Sequence, residues 1–477
     1  MTNTPASASG GRHRVHRGTQ SAEAGGGRAA ERRSKRKLRR RGLRILACTT
    51  AGLVLVTAGA FGYLYEKLNG NIRHSPLFAG TSGDAGHEKP DAFGRTPINI
   101  MVIGSDSRDN AADCAIGGDC GPGANADVQM VLHVSADRSN ATVMSIPRDT
   151  MTDLPACTDG RNNTSMKARF GQINSTLDYG PGCAVAAVHQ LTGIPIDHFM
   201  MVDFTGVVQM SDAVGGVPVC VSDNVYDPDS HLKLTKGTHT LQGLSALQFV
   251  RTRHGFGDGG DLGRTVAQHM FLGSMVRQLK SAGTMTDPAA VLSLANAATK
   301  ALTVDDGLKS ITQLVGLADD LNKVPMDRIT FATMQNQPDP SNPNRVLVSP
   351  AAKNLFTTII NDQSLTTGSG DNSAAAAQAT STTTTPAAAP SVVPPSAPLT
   401  ASTSGTGAPQ KDIAGGTSSA PAPVDPRAAL SNANPATADD SSGCAQVSTF
   451  RTANLDGIPM TPTEAFAKSP DVPNSAP

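Results

Sequence analysis

Acidic and basic residues follow or open three successive apolar runs in the first third of the chain. Asp106 ends the run "PINIMVIGSD", Asp127 lies at the start of "ADVQMVLHVS", and Arg148 and Asp149 end "ATVMSIPRD". Each residue alone has an ordinary interpretation as a turn cap or a surface ion pair. Together they predict a binding site, because α/β sheets present their binding groups where strands meet loops. Two carboxylates with open positions suit Mg²⁺ or Mn²⁺, which are held by few protein ligands and shared with substrate phosphates.

The stretch "FVRTRHGFGDGGDLGR", Phe249 to Arg264, concentrates fixed positive charge beside carboxylates. If "FVRTR" is extended, Arg251 and Arg253 point to the same side, because side chains alternate along a strand. Arg264 opens the following helix, whose N-terminus itself favours anions. Arginine pairs bind phosphate oxygens in a bidentate manner that lysine does not reproduce. The stretch therefore predicts an anion clamp.

Three glycines of this stretch, Gly255, Gly257 and Gly260, also spell the G-x-G-x-x-G pattern of dinucleotide-binding proteins. That motif expects an acidic residue about twenty positions further on, at the ribose. No Asp or Glu occurs between Asp261 and Asp287. The sequence therefore argues against a Rossmann site.

Strand patterns alternate with helix patterns between residues 95 and 362, which predicts an α/β (α+β) fold with a mixed central sheet flanked by helices. Aromatic residues make up only 4% of the chain and tryptophan is absent. A single core of roughly 270 residues is therefore more plausible than several. The expected strands include Pro97–Asp106, Ala126–Ser135, Ala141–Asp149 and Asp327–Met334, and the expected helices include Thr265–Lys280, Pro288–Thr299 and Gly307–Asn322.

A basic arm and a long apolar run begin the chain. Thirteen Lys and Arg residues lie between Met1 and Arg44 against two Glu, and Ile45–Tyr65 contains no charge. About twenty apolar residues cross a bilayer core as a helix. The arginine excess predicts a cytoplasmic N-terminus and an external domain, and it favours contact with anionic lipid over a nucleic-acid tail. The alternative is a cleaved signal peptide, because residues 58–60 resemble an A-x-A cleavage site.

Cysteine usage agrees with export. Cys48 lies in the apolar run, and the six other cysteines form an even set on the predicted outer side. Six cysteines permit many alternative pairings, which spacing alone leaves open. No zinc-type CxxC spacing occurs, which favours disulfides over a metal site. The first choices for the pairs are Cys114–Cys120, Cys157–Cys183 and Cys220–Cys444.

These features divide the chain into a basic cytoplasmic arm (1–44), a transmembrane helix (45–65), a linker (66–94) and an extracytoplasmic catalytic domain (95–362). Residues 363–440 are rich in Ala, Ser, Thr and Pro, and no aromatic residue occurs between Phe356 and Phe450. Such a segment buries too little apolar surface to offset its ordering entropy, so we expect disorder. The tail at 441–477 is expected to dock on the domain through Cys444.

Several motifs follow one another in a characteristic order: "IGSDSR", "NADVQM", "SIPRD", "GQIN", "VDF", "DAVGGV" and "VRTRH…DLGR…Q". From Pro97 to Lys280 the chain thereby resembles the LytR–CpsA–Psr family, and its basic arm and long tail resemble an actinobacterial member. The resemblance implies a Mg²⁺-dependent phosphotransferase on the outer face of the membrane. Such enzymes move a glycopolymer from a polyprenyl-pyrophosphate lipid to a muramic acid hydroxyl of peptidoglycan through a phosphodiester.

The resemblance also implies roles for individual residues, carried over motif by motif. Asp106 and Asp127 hold Mg²⁺ on the pyrophosphate. Asp261 matches the acid of the "DxxR" pattern, a residue suited to binding a metal or transferring a proton. Gln268 matches the glutamine after the helix start, whereas Ala267 stands where an arginine is common, so one accessory anion contact lacks its arginine. The pyrophosphate oxygens are clamped by Arg108, Arg148, Arg251, Arg253 and Arg264.

Phosphoryl transfer needs mostly positioning and charge neutralisation. The acceptor hydroxyl must lose a proton to a carboxylate, and the sequence leaves the choice between Asp149 and Asp261 open. Three apolar segments, "AVAAVHQL", "FMMVDF" and "LSALQFV", are candidates for a polyprenyl groove, with ordinary core packing as the alternative.

Other functions compete with this transferase. A non-catalytic protein that binds lipid pyrophosphate or wall glycan predicts binding without turnover, and a polyprenyl pyrophosphatase uses water as the acceptor. A DNA-binding regulator is disfavoured, because nothing between Met1 and Arg44 resembles a helix-turn-helix. The sequence does not indicate which glycopolymer is moved.

Overall fold

The computed structural model describes residues 26–81, 84–108, 111–118, 120–121, 123–159, 164–281, 288–365, 426–433, 435–438 and 443–477. Residues 1–25 of the predicted basic arm and residues 366–425 of the predicted disordered segment lie outside these ranges. The expected disorder is wrong for the described residues between 426 and 438, where Ala429 and Ala433 are buried in the core and residues 436–437 pair with residues 330–331 of the central sheet. The chain forms two compact units, Met1–Lys67 and Leu68–Pro477.

The described part of the first unit is a helix, α1 (Gly26–Asn71), which ends within the second unit. Its apolar stretch, Leu43–Asn71, has 29 residues and reaches a mean hydropathy of 1.9. At about 1.5 Å per residue it is ~43 Å long, more than the ~30 Å of a bilayer core. The consecutive side chains of residues 53–56 are all more than 60% exposed. The helix covers the predicted span at 45–65 and fits a single-pass membrane protein.

The second unit contains the other helices and the strands of the described residues. The helices are α2 (Ala111–Gly117), α3 (Pro181–Thr192), α4 (Phe204–Ala213), α5 (Leu244–Arg251), α6 (Asp261–Lys280), α7 (Pro288–Ala301), α8 (Ile311–Lys323), α9 (Ala352–Ile360), α10 (Pro426–Ala429) and α11 (Pro462–Lys468). The strands are β1 (Arg73–Ser75), β2 (Ile98–Ser105), β3 (Ala126–Val134), β4 (Ala141–Ser145), β5 (Thr150–Leu154), β6 (Cys157–Thr158), β7 (Ser165–Met166), β8 (Arg169–Gln172), β9 (His198–Val202), β10 (Val217–Val221), β11 (Val225–Asp227), β12 (Leu232–Leu234), β13 (Gly237–Leu241), β14 (Leu302–Asp305), β15 (Ile329–Thr333), β16 (Asn336–Asp339), β17 (Asn342–Val348), β18 (Ala436–Thr437), β19 (Ala453–Leu455) and β20 (Ile458–Met460).

A central sheet has the strand order β1-β14-β9-β2-β3-β4-β15-β18. β2 pairs antiparallel with β3 and parallel with β9, and β4 pairs parallel with β15, so the sheet is mixed. Met101 and Ile103 face a core that includes α3 and α9. Ile100 and Met130 face the opposite side, towards α6 and α8. The predicted mixed sheet flanked by helices is confirmed. In the sequence its strands are continuous apolar runs, because helices cover both faces of the sheet.

Part of the segment expected to be a linker, residues 66–94, is built into the second unit. β1 pairs parallel with β14 at the edge of the central sheet. Ile72 is buried beside β14 and α8, and Phe78 packs against the core that includes α3. A three-residue edge strand is too short to produce a detectable period in the sequence, which is why this docking is not evident there.

Three disulfides cross-link the second unit, and they join the cysteines chosen from the sequence: Cys114–Cys120, Cys157–Cys183 and Cys220–Cys444. The last one fixes the C-terminal strap, residues 443–477, to β10. The amide of Ala445 donates to the carbonyl of Cys220 (2.8 Å). Further along, the buried ammonium of Lys233 donates to the carbonyls of Ser469 and Val472. The strap is therefore docked along the domain.

Candidate active site

A buried network of two carboxylates and two guanidinium groups lies where β3, β4 and α6 meet. Arg148 donates through Nη1 to Asp127, and Arg264 donates through Nη2 to Asp261. Arg264 Nη2 also donates to the backbone oxygen of Asp127 (3.1 Å), and Arg148 Nε lies 3.7 Å from Asp261 Oδ1. The side chain of Arg264 is only 5% exposed. Its charge is therefore balanced by carboxylates rather than by water, as a buried charge requires.

Two further arginines form the wall of a cavity beside this network. The cavity has a volume of about 210 Å³ and is lined by Asp127, Asp227, Asp229, Ser230, Arg251, Arg253 and Arg264. The Cζ atom of Arg251 lies 4.6 Å from the ring centroid of Phe204, a cation-π contact that orients the planar guanidinium. The structure thus brings the sequence-predicted residues at 127, 148, 251, 253, 261 and 264 into one site.

The route by which Arg251 and Arg253 reach the site differs from the extended chain suggested by the sequence. Arg251 is the last residue of α5, and extended backbone begins only at Thr252. The helix is favoured because Ala246 and Phe249, three residues apart, bury one helix face in a core that includes Phe256. The two arginines therefore approach the cavity from a helix end and from the loop that follows it.

Asp227 fixes that loop, and the sequence analysis did not single it out. Its Oδ2 accepts hydrogen bonds from Thr252 Oγ1 (2.6 Å), the Arg253 amide (3.2 Å) and the His254 amide (3.3 Å). Asp227 is fully buried, and a buried carboxylate persists where its oxygens are hydrogen-bonded. The one local signal for it is the turn-rich "YDPDS" context.

The C-terminal strap holds the glycine-rich part of the same loop. Phe256 forms an antiparallel bridge with Val447, and the Gly257 amide donates to the carbonyl of Gln446 (3.1 Å). Gly257 has a φ of 58°, a conformation that favours glycine. The glycines therefore make a tight, externally braced turn between the two arms of the arginine cluster.

Asp149 lies at the edge of the network with partners from distant segments. Its Oδ1 accepts from Gln172 Nε2 and lies 3.4 Å from Arg345 Nη1, and Arg148 Nε is 3.6 Å from its Oδ2. Gln172 belongs to the "GQIN" motif, so the sequence contained a signal for it. Arg345 lies in the β16–β17 hairpin and carries no local signal, although it is a fifth arginine at the site.

Asp106 and Arg108 lie in a neighbouring cavity of about 460 Å³, which also includes Asn125, Ser175 and Asp178. The Asp106 carboxylate accepts hydrogen bonds from the backbone amide and the side-chain amide of Asn125. Arg108 Nη1 donates to the carbonyl of Gly118 (2.9 Å). The charges of Asp106 and Arg108 act on Arg251 in opposite directions, Asp106 raising and Arg108 lowering its pKa.

Gln268 does not line the arginine-rich cavity. Its side-chain amide donates to the carbonyl of Val250 (3.2 Å) and so holds the end of α5, which carries Arg251. Gln268 is therefore placed to position Arg251 rather than to bind the anion.

The environment separates the pKa values of the two central carboxylates. Burial favours the neutral form of Asp127, but Arg264 and Arg148 outweigh it and hold its pKa below the ordinary value. Burial, only partly opposed by Arg264, raises the pKa of Asp261. Burial also lowers the pKa of Arg251. Asp127 is therefore the permanent counter-charge, and Asp261 is the carboxylate that more readily takes up a proton.

Asp106 and Asp127 together offer a donor set that suits Mg²⁺. They lie on either side of an irregular end of the β2–β3 ladder, where the register shifts between Gly104 and Ser105. In the part of the chain that the structure describes, no group of three or more acidic, histidine or cysteine side chains is arranged to hold a metal. Mg²⁺ tolerates two protein carboxylates because it keeps waters and takes further ligands from substrate phosphates. Asp106 lines one cavity and Asp127 the other, and both are carboxylates of the kind that this ion takes as ligands.

A small apolar groove of about 50 Å³ adjoins the arginines between β2, β3, α4 and α5. Val128 of the central sheet is only partly buried beside it. The groove opens beside Arg251 and Arg264, and its lining there includes Val128, Val202, Phe204, Val207, Leu247 and Val250.

The predicted groove segments divide between this groove and the core. "FMMVDF" contributes Val202 and Phe204, and "LSALQFV" contributes Leu247. "AVAAVHQL" does not contribute, because residues 184–188 are at most 2% exposed in the core on the opposite face of the sheet. Strand and helix periods do not reveal which face of the sheet a helix covers, so the sequence did not separate these cases.

Comparison with known proteins points to one family. The LytR_cpsA_psr family model matches residues 79–360. The chain is 33% identical over 308 residues to the cell wall biosynthesis protein LcpA of Corynebacterium glutamicum, covering 59% of this chain and 57% of LcpA. It is 27% identical over 262 residues to the polyisoprenyl-teichoic acid–peptidoglycan teichoic acid transferase TagT of Bacillus subtilis, covering 53% of this chain and 75% of TagT.

The matches to LcpA and to the probable cell wall biosynthesis protein LcpB from the same organism span about half of each relative's length. Among solved structures, a LytR-Csp2A-Psr enzyme from Actinomyces oris is 20% identical with a TM-score of 0.45, covering 60% of this chain and 96% of that chain.

Proposed function

The chain belongs to the LytR–CpsA–Psr family, and on that premise we propose that it is a membrane-anchored phosphotransferase of the outer membrane face. It moves a glycopolymer from a polyprenyl-pyrophosphate lipid to a muramic acid hydroxyl of peptidoglycan and leaves a phosphodiester. The N-terminus is cytoplasmic and the second unit external, because the basic arm precedes the apolar helix.

The observation that carries this proposal is the meeting of an arginine-lined cavity with an apolar groove. Arg251 and Arg264 line both the cavity and the mouth of the groove. A polyprenyl pyrophosphate combines a charged diphosphate with a long apolar chain, so each half of the ligand finds a matching surface. The names of TagT and LcpA support a wall glycopolymer as the cargo and peptidoglycan as the acceptor.

The arginines act by positioning and charge stabilisation. Arg251 and Arg253 bind the pyrophosphate oxygens in the cavity. Arg148 and Arg264 are held by Asp127, so their guanidinium groups are oriented before the substrate arrives. Charge develops on the oxygen that bridges the two phosphates as its bond breaks, and preorganised cations stabilise that charge without reorganising.

The transfer itself exchanges one phosphorus–oxygen bond for another. The acceptor hydroxyl oxygen bonds to the phosphorus that carries the glycan, the bond from that phosphorus to the bridging oxygen breaks, and polyprenyl monophosphate leaves. The hydroxyl proton passes to a carboxylate. We assign this role to Asp261, because burial raises its pKa and Arg264 holds its Oδ1 in place, whereas Asp149 is paired with Gln172 and Arg345.

Asp106 and Asp127 are the residues that would hold Mg²⁺, which when bound neutralises charge on the pyrophosphate. Asn125 orients Asp106 through two hydrogen bonds, so that carboxylate is already fixed by the chain's own residues.

The test uses the purified full chain in detergent with a lipid-pyrophosphate glycan and a peptidoglycan acceptor. We expect Arg251→Ala and Asp106→Ala to lower the transfer rate about 100-fold or more, the range seen when a charge-stabilising group is removed. Arg95→Ala is the matched control, because Arg95 is an exposed arginine whose partners, Asp91 and the Phe93 ring, are close in sequence and lie outside the site. If Arg251→Ala transfers the glycan at the wild-type rate, the proposal is contradicted. If the product is free glycan phosphate, formed with water as the acceptor, the chain is a pyrophosphatase.

A further inference from the structure

A small sheet with the strand order β16-β17-β5-β8 carries a solvent-facing surface that extends beyond the active site. Because side chains alternate along strands, the strand register assigns one set of residues to a single face. We call this face the platform; its residues are Asp149, Met151, Asp153, Phe170, Gln172, Gln337, Arg345 and Leu347. The opposite face is covered, since Leu154 and Val348 pack on the core that includes α3.

The platform begins at the candidate active site. Gln172 and Arg345 lie on it, and both contact Asp149 of the charged network. At about 3.3 Å per residue, the strand from Asp149 to Asp153 carries the platform ~13 Å away from that network. The surface is therefore continuous with the place where an acceptor hydroxyl must enter.

One aromatic side chain on this surface is exposed to solvent. Phe170 is 58% exposed and lies opposite Asp153 in the β5–β8 register, with the half-buried Met151 and Leu347 on the same face. The chain has only 13 Phe, 4 Tyr and no Trp. Leaving one of these few rings exposed, next to other apolar groups, favours a role in ligand contact. An open depression of about 470 Å³ beside Phe170 includes Asp153, Arg169 and Gln190 in its lining.

We propose that the platform binds sugar rings of the acceptor glycan, with Phe170 as the stacking residue. This inference rests on the proposed function and assigns its acceptor subsite. A sugar ring presents an apolar C–H face and a rim of hydroxyls. Phe170, Met151 and Leu347 match the C–H face, and Asp153 and Gln337 supply hydrogen-bonding groups for the hydroxyls.

The experiment measures the affinity of the full chain in detergent for a peptidoglycan tetrasaccharide by calorimetry, without any lipid donor. We expect Phe170→Ala to weaken binding about tenfold, whereas Phe170→Trp keeps it within about twofold because a ring remains. Phe93→Ala is the matched control, because Phe93 is also exposed and does not lie on the platform. Thermal unfolding should be the same for all three variants, since each side chain is largely in water.

The inference is overturned if wild type does not bind the tetrasaccharide, if Phe170→Ala binds it as tightly as wild type, or if Phe170→Ala changes the oligomeric state instead. Failure of the proposed function is separate. If the wild-type chain transfers glycopolymer but Phe170→Ala does not weaken glycan binding, only the platform is rejected. If the wild-type chain does not transfer glycopolymer but Phe170→Ala weakens glycan binding, the transferase is rejected and the glycan site is supported.

Discussion

Arg264 is the residue whose replacement tests the charged network most directly. Arg264→Met keeps a side chain of similar length but removes the cation between Asp127 and Asp261. Breaking a buried pair by removing one partner costs about 3–5 kcal/mol, because an uncompensated charge remains. We expect a loss of that size in the free energy of unfolding near neutral pH. Arg95→Met, which breaks an exposed pair with Asp91, should cost at most about 1 kcal/mol.

The pH dependence of the variant follows from the same carboxylates. Without Arg264, the pKa values of Asp127 and Asp261 rise in the folded state, because burial is no longer opposed by that charge. A carboxyl group with a raised folded pKa makes the folded state bind more protons than the unfolded state, so stability falls as pH rises. The loss caused by Arg264→Met should therefore be smaller near pH 5.5 than near pH 7.5.

The assay is urea unfolding of the full chain in detergent, followed by far-ultraviolet circular dichroism because the chain has no tryptophan. Adding Asp261→Asn to Arg264→Met removes one of the two uncompensated charges and should recover about half of the lost stability. If Arg264→Met loses no more than Arg95→Met and its stability is independent of pH, the buried network is not held together by charge, and the reasoning fails.

Four other changes should have measurable effects. Arg251→Lys should lower the initial transfer rate about tenfold or more, because lysine lacks the bidentate geometry and the planar stacking surface; an unchanged rate would argue against a bidentate clamp. Chelation of divalent metal should stop transfer and Mg²⁺ should restore it, with Asp106→Asn requiring more Mg²⁺ for half-maximal rate; metal-independent turnover would remove Mg²⁺ from the mechanism. Cys444→Ser should free the C-terminal strap and speed amide exchange in the glycine-rich loop, measured by mass spectrometry; unchanged exchange would show that the disulfide does not brace this loop. Burial, with repulsion from two nearby carboxylates, raises the pKa of Glu88 from 4.5 to about 7, so its contribution to stability is lost as pH rises between these two values; Glu88→Gln should flatten the urea-unfolding stability between about pH 5 and pH 7.

Much of the site follows from residue type and local pattern. Asp106, Asp127, Arg148 and Arg264 all lie at ends of strands or helices, and such ends are visible in the sequence as apolar runs that stop at polar residues. The helical period of α5 was also present in the sequence, through Ala246 and Phe249. The helix continues to Arg251, so extended backbone begins only at Thr252.

Contacts between distant segments were not predictable in the same way. Arg345 reaches Asp149 across 196 residues, and Asp227 holds the loop of Arg253 across 26. The sequence around Arg345 does not mark its role, and the sequence around Asp227 marks only a turn. The packing of the whole sheet decides which distant segments come into contact. The closure of a long loop between two such segments leaves no pattern in the sequence near either of them.

The sequence by itself determined the apolar helix, the mixed α/β class, the even set of six cysteines available for disulfides and the kinds of charged group that the site contains. These depend on composition, periodicity and side-chain chemistry, which are local properties of the chain. Only the tertiary structure distinguishes the two central carboxylates, since the pKa values of Asp127 and Asp261 are shifted in opposite directions by burial and neighbours rather than by residue type. It also decided that the strap braces the arginine loop and that Phe170 faces solvent beside the site, because these follow from the register and packing of strands far apart in the chain.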